Sequence, residues 1–264
     1  MRTRRIKSAD GTTIAFEAIG EGPPLVLVGG ALSDRTAPAS GRLLAAMLAH
    51  RFTVLSYDRR GRGDSGDIPP WAIEREIEDL AALIAAAGGS AAVFGNSSGG
   101  LLALDAAAQG LAITRLAVHE PPVILDADRA ASLVRLANEL DEVLARERRT
   151  QAVEQYFSRA MQMPATAVAQ LRRTPMWPDF EDLAHTLSYD LRITARGAAR
   201  LAEVPAVQPP TLAIDGGASP RWMREAIEAI ARAMPRGRHR TLERPSQAVD
   251  PKALALTLED FLSE

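Results

Sequence analysis

Short apolar runs alternate with longer amphipathic stretches along most of the chain. Short runs bounded by glycine, proline or charged residues predict buried strands, and apolar residues at three- and four-residue spacing predict helices. The pattern predicts strands at residues 12–18, 24–28, 52–57, 91–94, 113–118, 210–214 and 238–242. It predicts helices at residues 41–49, 71–87, 101–109, 221–234 and 251–262. This alternation favours an α/β fold, with a parallel sheet covered by helices on both faces.

Residues 126–204 depart from this alternation. They carry amphipathic helical patterns and no convincing strand, and large apolar side chains concentrate there: Tyr156, Phe157, Met161, Met163, Met176, Trp177 and Phe180. We predict a helical cap over the edge of the sheet where open α/β folds bind their ligands. Residues 1–125 and 205–264 would then form the core domain. Most of the apolar cap residues would pack on one another, and a few would line a pocket.

The composition is that of an ordinary globular protein of 264 residues, with 47% hydrophobic and 24% charged residues. The net charge of −2 argues against nucleic acid or an anionic membrane as a partner. The absence of cysteine excludes disulfides, thiolate metal sites and cysteine catalysis. No apolar run approaches the roughly 20 residues that span a bilayer. The basic segment 1–7 is followed by polar residues, so we expect no secretory signal and a cytoplasmic location.

A serine stands in a glycine-rich turn between a predicted strand and a predicted helix. Residues 95–99 read Gly-Asn-Ser-Ser-Gly, which matches the G-x-S-x-G pattern of a nucleophile elbow. Such a turn leaves no room for side chains around Ser97, whose backbone must be strained so that its hydroxyl is exposed. The pattern alone is weak, but the flanking strand and helix strengthen it. We therefore predict Ser97 as the nucleophile.

Donors for a developing oxyanion are predicted on both sides of Ser97. Residues 25–31 read LVLVGGA, a strand that runs into a glycine turn at Gly30, so the N–H of Ala31 can point at the pocket. The N–H of Ser98, at the start of the helix, would be the second donor and would add the helix dipole. The alternative is that Gly29 and Gly30 form an ordinary tight turn with no role in catalysis.

Three motifs in this order and spacing resemble the α/β-hydrolase superfamily: LVLVGGA, YDRRGRGDSG at 57–66, and VFGNSSGG at 93–100. The resemblance covers about residues 11–122 and 205–264. It implies an α/β-hydrolase fold, with a mostly parallel central sheet, flanking helices and a helical cap. It also implies that the 57–66 loop ties the sheet edge together, so we assign that loop no catalytic role.

The resemblance also implies a catalytic histidine on the loop after the last strand, but Gln247 stands at that position. Glutamine cannot take a proton near neutral pH, so it cannot deprotonate Ser97. The acid usually follows the preceding strand, where this chain has Ser219. The sequence therefore predicts an atypical triad.

Several other residues could complete the site. Glu120 lies just past the carboxyl end of the strand predicted at 113–118, where some members of the superfamily carry the acid; alternatively, it caps a turn before the two following prolines. His119 precedes it, and His185 could reach the pocket from the cap. Asp215 is another acid near the end of a strand, or a turn residue. The remaining histidines are expected away from the site, His50 at the surface and His239 facing solvent or a helix.

Three classes of function fit these residues, all with a small, largely apolar, carbonyl-containing ligand. The first is hydrolysis of an ester, lactone or thioester through an acyl-enzyme on Ser97, which is the most frequent activity in the superfamily. The second is a cyclase, lyase or isomerase of secondary metabolism that uses the oxyanion donors with Glu120 and Gln247. The third is a ligand-binding protein without catalysis. We expect no cofactor and no metal; a homodimer is one option for the oligomeric state.

Overall fold

A computed structural model describes residues 2–37, 41–243 and 250–264. Within these residues eight strands form one sheet in the order β1-β2-β4-β3-β5-β6-β7-β8. The strands are β1 (Arg4–Lys7), β2 (Thr13–Ile19), β3 (Pro24–Val28), β4 (Thr53–Tyr57), β5 (Ala91–Asn96), β6 (Ile113–His119), β7 (Thr211–Gly216) and β8 (Gly237–Leu242). β2 runs antiparallel to β1 and β4, and the other neighbours are parallel.

Helices cover both faces of this sheet. The helices outside the cap region are α1 (Leu43–Leu48), α2 (Ile73–Ala86), α3 (Ser98–Ala108), α10 (Arg221–Ala233) and α11 (Pro251–Leu262). Buried residues of α2, α3 and α10 share one apolar core with one face of the sheet, and those of α1 and α11 share another with the opposite face. The two-sided covering buries every central strand, which explains their continuous apolar runs. The predicted α/β fold class is confirmed.

Residues 126–204, which we call the cap segment, contain helices and no strand, and all of them are described. The α-helices are α4 (Ala127–Leu144), α5 (Arg149–Gln155), α6 (Ala165–Leu171), α7 (Trp177–Asp182), α8 (Leu187–Thr194) and α9 (Gly197–Glu203). The segment has an apolar core of its own, against which Ala31 and Leu32 of the β3 loop pack. The division into a cap at 126–204 and a core domain stays a prediction.

The two ends of the cap segment are held together at Gly197, the first residue of α9. A Cβ atom at this position would lie 2.0 Å from the carbonyl oxygen of Ile124, so a larger residue would force the backbone apart. Ile124 lies just before the segment begins, whereas Gly197 lies near its end. Glycine at this position therefore allows the entering and returning chain to touch.

Candidate active site

Four sequence-predicted positions follow adjacent parallel strands. Ala31 follows β3, Ser97 follows β5, Glu120 follows β6, and Ser219 follows β7. These strands are neighbours in the order β3-β5-β6-β7 and run parallel. Their carboxyl ends therefore meet at one edge of the sheet, which is where open α/β sheets bind ligands.

Ser97 has the strained backbone of a sharp strand-to-helix turn, with φ 52° and ψ −125°. Its N–H donates a hydrogen bond of 2.9 Å to the carbonyl of His119 on the neighbouring strand. The turn is closed by glycines: a Cβ on Gly95 would lie 2.5 Å from the Cα of Gly100. A Cβ on Gly99 would lie 2.4 Å from the carbonyl oxygen of Val28. The elbow therefore depends on glycine on both sides of the serine.

Backbone strain is concentrated around this edge of the sheet. Among the described non-glycine residues, those with positive φ are Leu32, Ser97, Glu120, Glu147 and Gln162. The first three follow β3, β5 and β6, the strands that form the site. Such conformations cost of order 1–3 kcal/mol each and persist where surrounding contacts enforce them. Three strained residues on adjacent strand ends make this edge the candidate functional site.

The loop after β3 lies directly against the serine. A Cβ on Gly30 would lie 3.0 Å from the Cβ of Ser97 and 3.6 Å from its Oγ, so a side chain there would crowd the hydroxyl. Gly30 therefore lies close to Ser97. On the other side, α3 begins at Ser98, and the first N–H groups of a helix have no acceptor within it. The geometry is compatible with the two predicted donors.

Two buried arginines of the 57–66 loop hold the glycine turn from behind. Arg62 donates hydrogen bonds from Nη1 to the carbonyls of Gly30 and Ser33, and the second of these is 3.2 Å long. The Ser33 hydroxyl also donates to the Gly30 carbonyl, at 2.7 Å. Arg59 Nη1 lies 3.3 Å from the carbonyl oxygen of Gly29. The loop therefore does more than tie the sheet edge: it fixes the backbone beside Ser97.

A carboxylate from the cap segment, Asp190 on α8, joins these arginines to the helix after the elbow. Its oxygens lie 2.7 Å from Arg59 Nη1 and 2.6 Å from Arg62 Nη2, and one also accepts a hydrogen bond of 2.7 Å from the Ser98 hydroxyl. Burial acts to raise the pKa of Asp190, but the positive charges of Arg62 and Arg59 outweigh it and lower that pKa. Asp190 is therefore ionised although only 2% of its surface is exposed.

Sequence reasoning did not identify Asp190. It is separated from its partners by 92 to 131 residues, and no motif links them. One signal was present: Asp190 lies on the buried face of α8 with Leu187 and Leu191, where a charge is unusual. A carboxylate at a core-facing helical position needs a cationic partner, and the arginine-rich loop offers two.

The structure brings Glu120 and Ser219 together. The Ser219 hydroxyl donates to Glu120 Oε1 and accepts a hydrogen bond of 2.9 Å from the N–H of Gly216. Ser219 stands at the position expected for the acid, and the carboxylate that it contacts comes from the end of β6 instead. Glu120 therefore supplies a carboxylate where the sequence after β7 has none.

Each of the four histidines contacts a group other than the Ser97 hydroxyl. His119 Nδ1 lies 2.9 Å from Asn96 Oδ1, and His185 Nε2 lies 2.6 Å from the carbonyl oxygen of Gly61. His50 contacts the carbonyl of Met47. His239 differs from our expectation, because its Nε2 lies 2.8 Å from Asp215 Oδ2 across β7 and β8. Asp215 thus serves as the partner of His239.

Gln247 lies outside the described residues, so its role beside Ser97 stays a prediction. Among the residues that are described, no cluster of three or more histidine and acidic side chains could hold a metal ion. No described helix is both long and apolar enough to cross a bilayer.

Replacing Glu120 by glutamine tests whether its charge is used. We expect the rate of ester cleavage to fall at least about tenfold, because the amide cannot accept a proton. The amide oxygen can still accept the hydrogen bond from Ser219, so the free energy of unfolding should change by no more than about 1 kcal/mol. Kinetics and urea denaturation measure the two effects. Glu225→Gln, on the exposed surface of α10, is the control. A large loss of stability would instead assign Glu120 to capping the turn.

Comparisons with known proteins agree with this geometry. The sequence profile described as "Alpha/beta hydrolase family" matches residues 25–253. The chain shares 48% sequence identity with an alpha/beta hydrolase from Sphaerobacter thermophilus of known crystal structure, with a TM-score of 0.88 over 98% of this chain and 100% of that one. An enol-lactonase from Burkholderia xenovorans is 26% identical, with a TM-score of 0.63 over 99% and 100% of the two chains.

A thermophilic esterase from Thermogutta terrifontis shares the fold, with 24% identity and a TM-score of 0.73 over 100% of this chain and 98% of that one. A comparison with curated proteins gave no match. The profile match covers well over half of the chain, in the region that contains the elbow, the glycine turn and the arginine-rich loop. The chain belongs to the alpha/beta hydrolase family.

Proposed function

We propose that this protein hydrolyses small esters, lactones or thioesters with an apolar acyl group, through an acyl-enzyme on Ser97. The observation that carries the proposal is the strained elbow at Ser97, with Gly30 so close that a Cβ on it would lie 3.6 Å from the serine Oγ. A hydroxyl on such a turn is held for attack, and amides beside it stabilise the oxyanion that forms.

In the first step Ser97 Oγ would bond to the carbonyl carbon of the substrate while the carbonyl oxygen gains negative charge. The N–H groups of Ala31 and Ser98 would stabilise that charge. The carbonyl then re-forms, the bond to the leaving group breaks, and the serine proton goes to the departing oxygen or sulfur. Water next attacks the acyl-enzyme, releases the acid and returns a proton to Ser97.

The proton from Ser97 limits which substrates react well. Gln247 cannot accept it, and a carboxylate such as Glu120 is a weaker base than imidazole, so general-base assistance would be smaller than the usual roughly 10²–10⁴-fold. Substrates with weakly basic leaving groups depend least on that assistance. We therefore favour thioesters and esters of enols or phenols over simple alkyl esters. The similarity to an enol-lactonase supports this choice.

The acyl side of the substrate would meet an apolar surface. Ala31 and Leu32, which follow the glycine turn, pack against the core of the cap segment. That core contains Tyr156 and Trp177, and Phe157 and Phe180 pack against it. An apolar cluster that Ala31 itself contacts would favour a short apolar acyl group over a charged one.

Covalent labelling tests the proposal. A fluorophosphonate forms a stable adduct with an activated serine, and p-nitrophenyl acetate has a leaving group that needs no protonation. We expect wild-type protein to gain the phosphonyl mass and to release p-nitrophenol, whereas Ser97→Ala should do neither. Ser132→Ala removes an exposed hydroxyl on α4 and should behave as wild type. Wild-type protein that reacts no faster than Ser97→Ala would overturn the proposal.

A second candidate function is proton transfer next to a carbonyl, as in a lyase or isomerase. The contact between Glu120 and Ser219 favours it, because it holds a carboxylate at the same edge as the oxyanion donors. An enolate formed there would be stabilised by the same amides. Deuterium exchange into a small ketone, followed by NMR, would support it if wild type exchanges and Glu120→Gln does not. A protein that is stabilised by its ligand and leaves that ligand unchanged would instead be a binding protein.

A further inference from the structure

We propose that Asp190, on the cap segment, is a positioning residue that orients both oxyanion donors. It reaches Ala31 through Arg62 and the Gly30 carbonyl, and it reaches Ser98 directly through that residue's hydroxyl. The inference rests on the proposed function, since it concerns the same oxyanion site. It goes further because it makes the cap segment part of the machinery that orients the site.

The first connection runs to Ala31. The carbonyl of Gly30 and the N–H of Ala31 belong to one planar trans peptide, so they point in opposite directions. Arg62 and Ser33 both donate to that carbonyl and pull it away from the pocket. The N–H of Ala31 is thereby turned the opposite way. Arg62 is in turn held by Asp190 through its other terminal nitrogen, at 2.6 Å.

The second connection runs to Ser98. Its hydroxyl donates to Asp190 Oδ1 at 2.7 Å, and its own backbone N–H is the other predicted donor. Ser98 is the first residue of α3, where a helix otherwise frays. The bond to a buried carboxylate fixes this residue relative to the arginines. One side chain thus holds the residues on both sides of the substrate oxygen.

The buried charges around Asp190 balance within the protein. Arg59 contacts Asp190 and makes two further bonds of 2.7 Å to the carboxylate of Glu76. Two guanidinium groups therefore face two carboxylates, and each of the four side chains is at most 2% exposed. Such a cluster adds less stability than apolar packing would, but it sets directions that apolar contacts cannot set. Orientation is therefore the property that this network supplies.

The chain contains a matched control for a merely structural role. Asp105 on α3 is equally buried and is also bonded to two arginines, Arg200 and Arg196. Its contacts with Arg200 are 2.7 and 2.8 Å long. This network too joins α3 to the cap segment, but its described contacts do not reach the glycine turn. Removing its charge perturbs a buried ion pair without changing the oxyanion donors.

The experiment compares Asp190→Asn with Asp105→Asn in the full-length protein. For Asp190→Asn we expect kcat for p-nitrophenyl butyrate and the fluorophosphonate reaction rate to fall at least tenfold relative to Asp105→Asn. KM should stay within threefold, because the donors act mainly in the transition state. Amide hydrogen exchange of the peptide containing residues 29–33 should speed up in Asp190→Asn and not in Asp105→Asn.

Two milder variants keep the test decisive if Asp190→Asn is poorly folded. Arg62→Lys retains the charge next to Asp190, but a single ammonium cannot bridge to the Gly30 carbonyl as the guanidinium does. Ser98→Ala keeps the backbone N–H and loses the bond to Asp190. We expect both variants to lower kcat and to leave KM nearly unchanged.

The outcomes separate this inference from the proposed function. Equal kinetics and equal exchange in the two asparagine variants would overturn the role of Asp190 while leaving Ser97 as the nucleophile. Wild-type protein without any serine reactivity would overturn the proposed function. In that case the exchange measurement alone decides whether Asp190 orders the glycine turn.

Discussion

Gln247→His is expected to raise the rate of ester hydrolysis by about 10²–10⁴-fold, the typical contribution of a positioned general base. Gln247 occupies the sequence position at which the family resemblance implies the catalytic histidine. The elbow serine and the carboxylate of Glu120 lie at the same sheet edge. An imidazole at position 247 would take the Ser97 proton, and Glu120 would stabilise the imidazolium.

The gain should depend on Glu120 if the three residues act together. Adding Glu120→Gln to Gln247→His should therefore remove most of the increase, a non-additive result that a double-mutant cycle measures. Gln208→His places the same side chain on the exposed surface and should leave the rate unchanged. Kinetics with an alkyl ester give the clearest reading, because its leaving group depends most on proton transfer. An unchanged rate in Gln247→His would show that position 247 does not face Ser97.

Arg59→Met is expected to destabilise the protein by about 3–5 kcal/mol, the usual effect of removing one partner of a buried ion pair. Arg59 is 2% exposed and neutralises parts of both Glu76 and Asp190. Methionine fills similar volume but offers no charge, so the two carboxylates would share the remaining cation, Arg62. The mutation therefore isolates the electrostatic contribution from packing.

Urea denaturation of wild type and Arg59→Met measures this loss as a shift of the midpoint. Arg232→Met is the control, because Arg232 pairs with Glu228 on the exposed face of α10. An exposed pair contributes at most about 1 kcal/mol, so this variant should unfold close to wild type. A similar stability for the two variants would show that the cluster around Asp190 is not buried in solution.

Much of the fold could be predicted because buried parallel strands are apolar throughout. The strand at 24–28 and the helix at 251–262 have the predicted bounds, and the other strands differ by at most two residues at either end. β1 could not be predicted in this way. Its sequence, Arg-Arg-Ile-Lys, lies on the exposed edge of the sheet, where the side chains carry no alternating apolar signal. Pairing with β2, and not burial, makes it a strand.

The part of the site formed by local geometry could also be predicted. Glycine is required around Ser97 and at the Gly30 turn because two backbones approach closely there. Such a requirement is visible in the sequence as a conspicuous glycine. The contacts made over long separations could not. Ser219 and Glu120 are 99 residues apart, and Asp190 and Arg59 are 131 apart. Their meeting depends on strand order and cap packing, which no local pattern encodes.

The contact between Gly197 and Ile124 bears on how this architecture diversifies. β6 and β7 are adjacent, and the chain between them makes this close approach as it leaves and returns. We therefore expect insertions or deletions between residues 124 and 197 to alter the cap segment while leaving the strands of the sheet in place. On the proposed role of Asp190, any such change must keep a carboxylate at its place, because the amides beside Ser97 would otherwise lose their support.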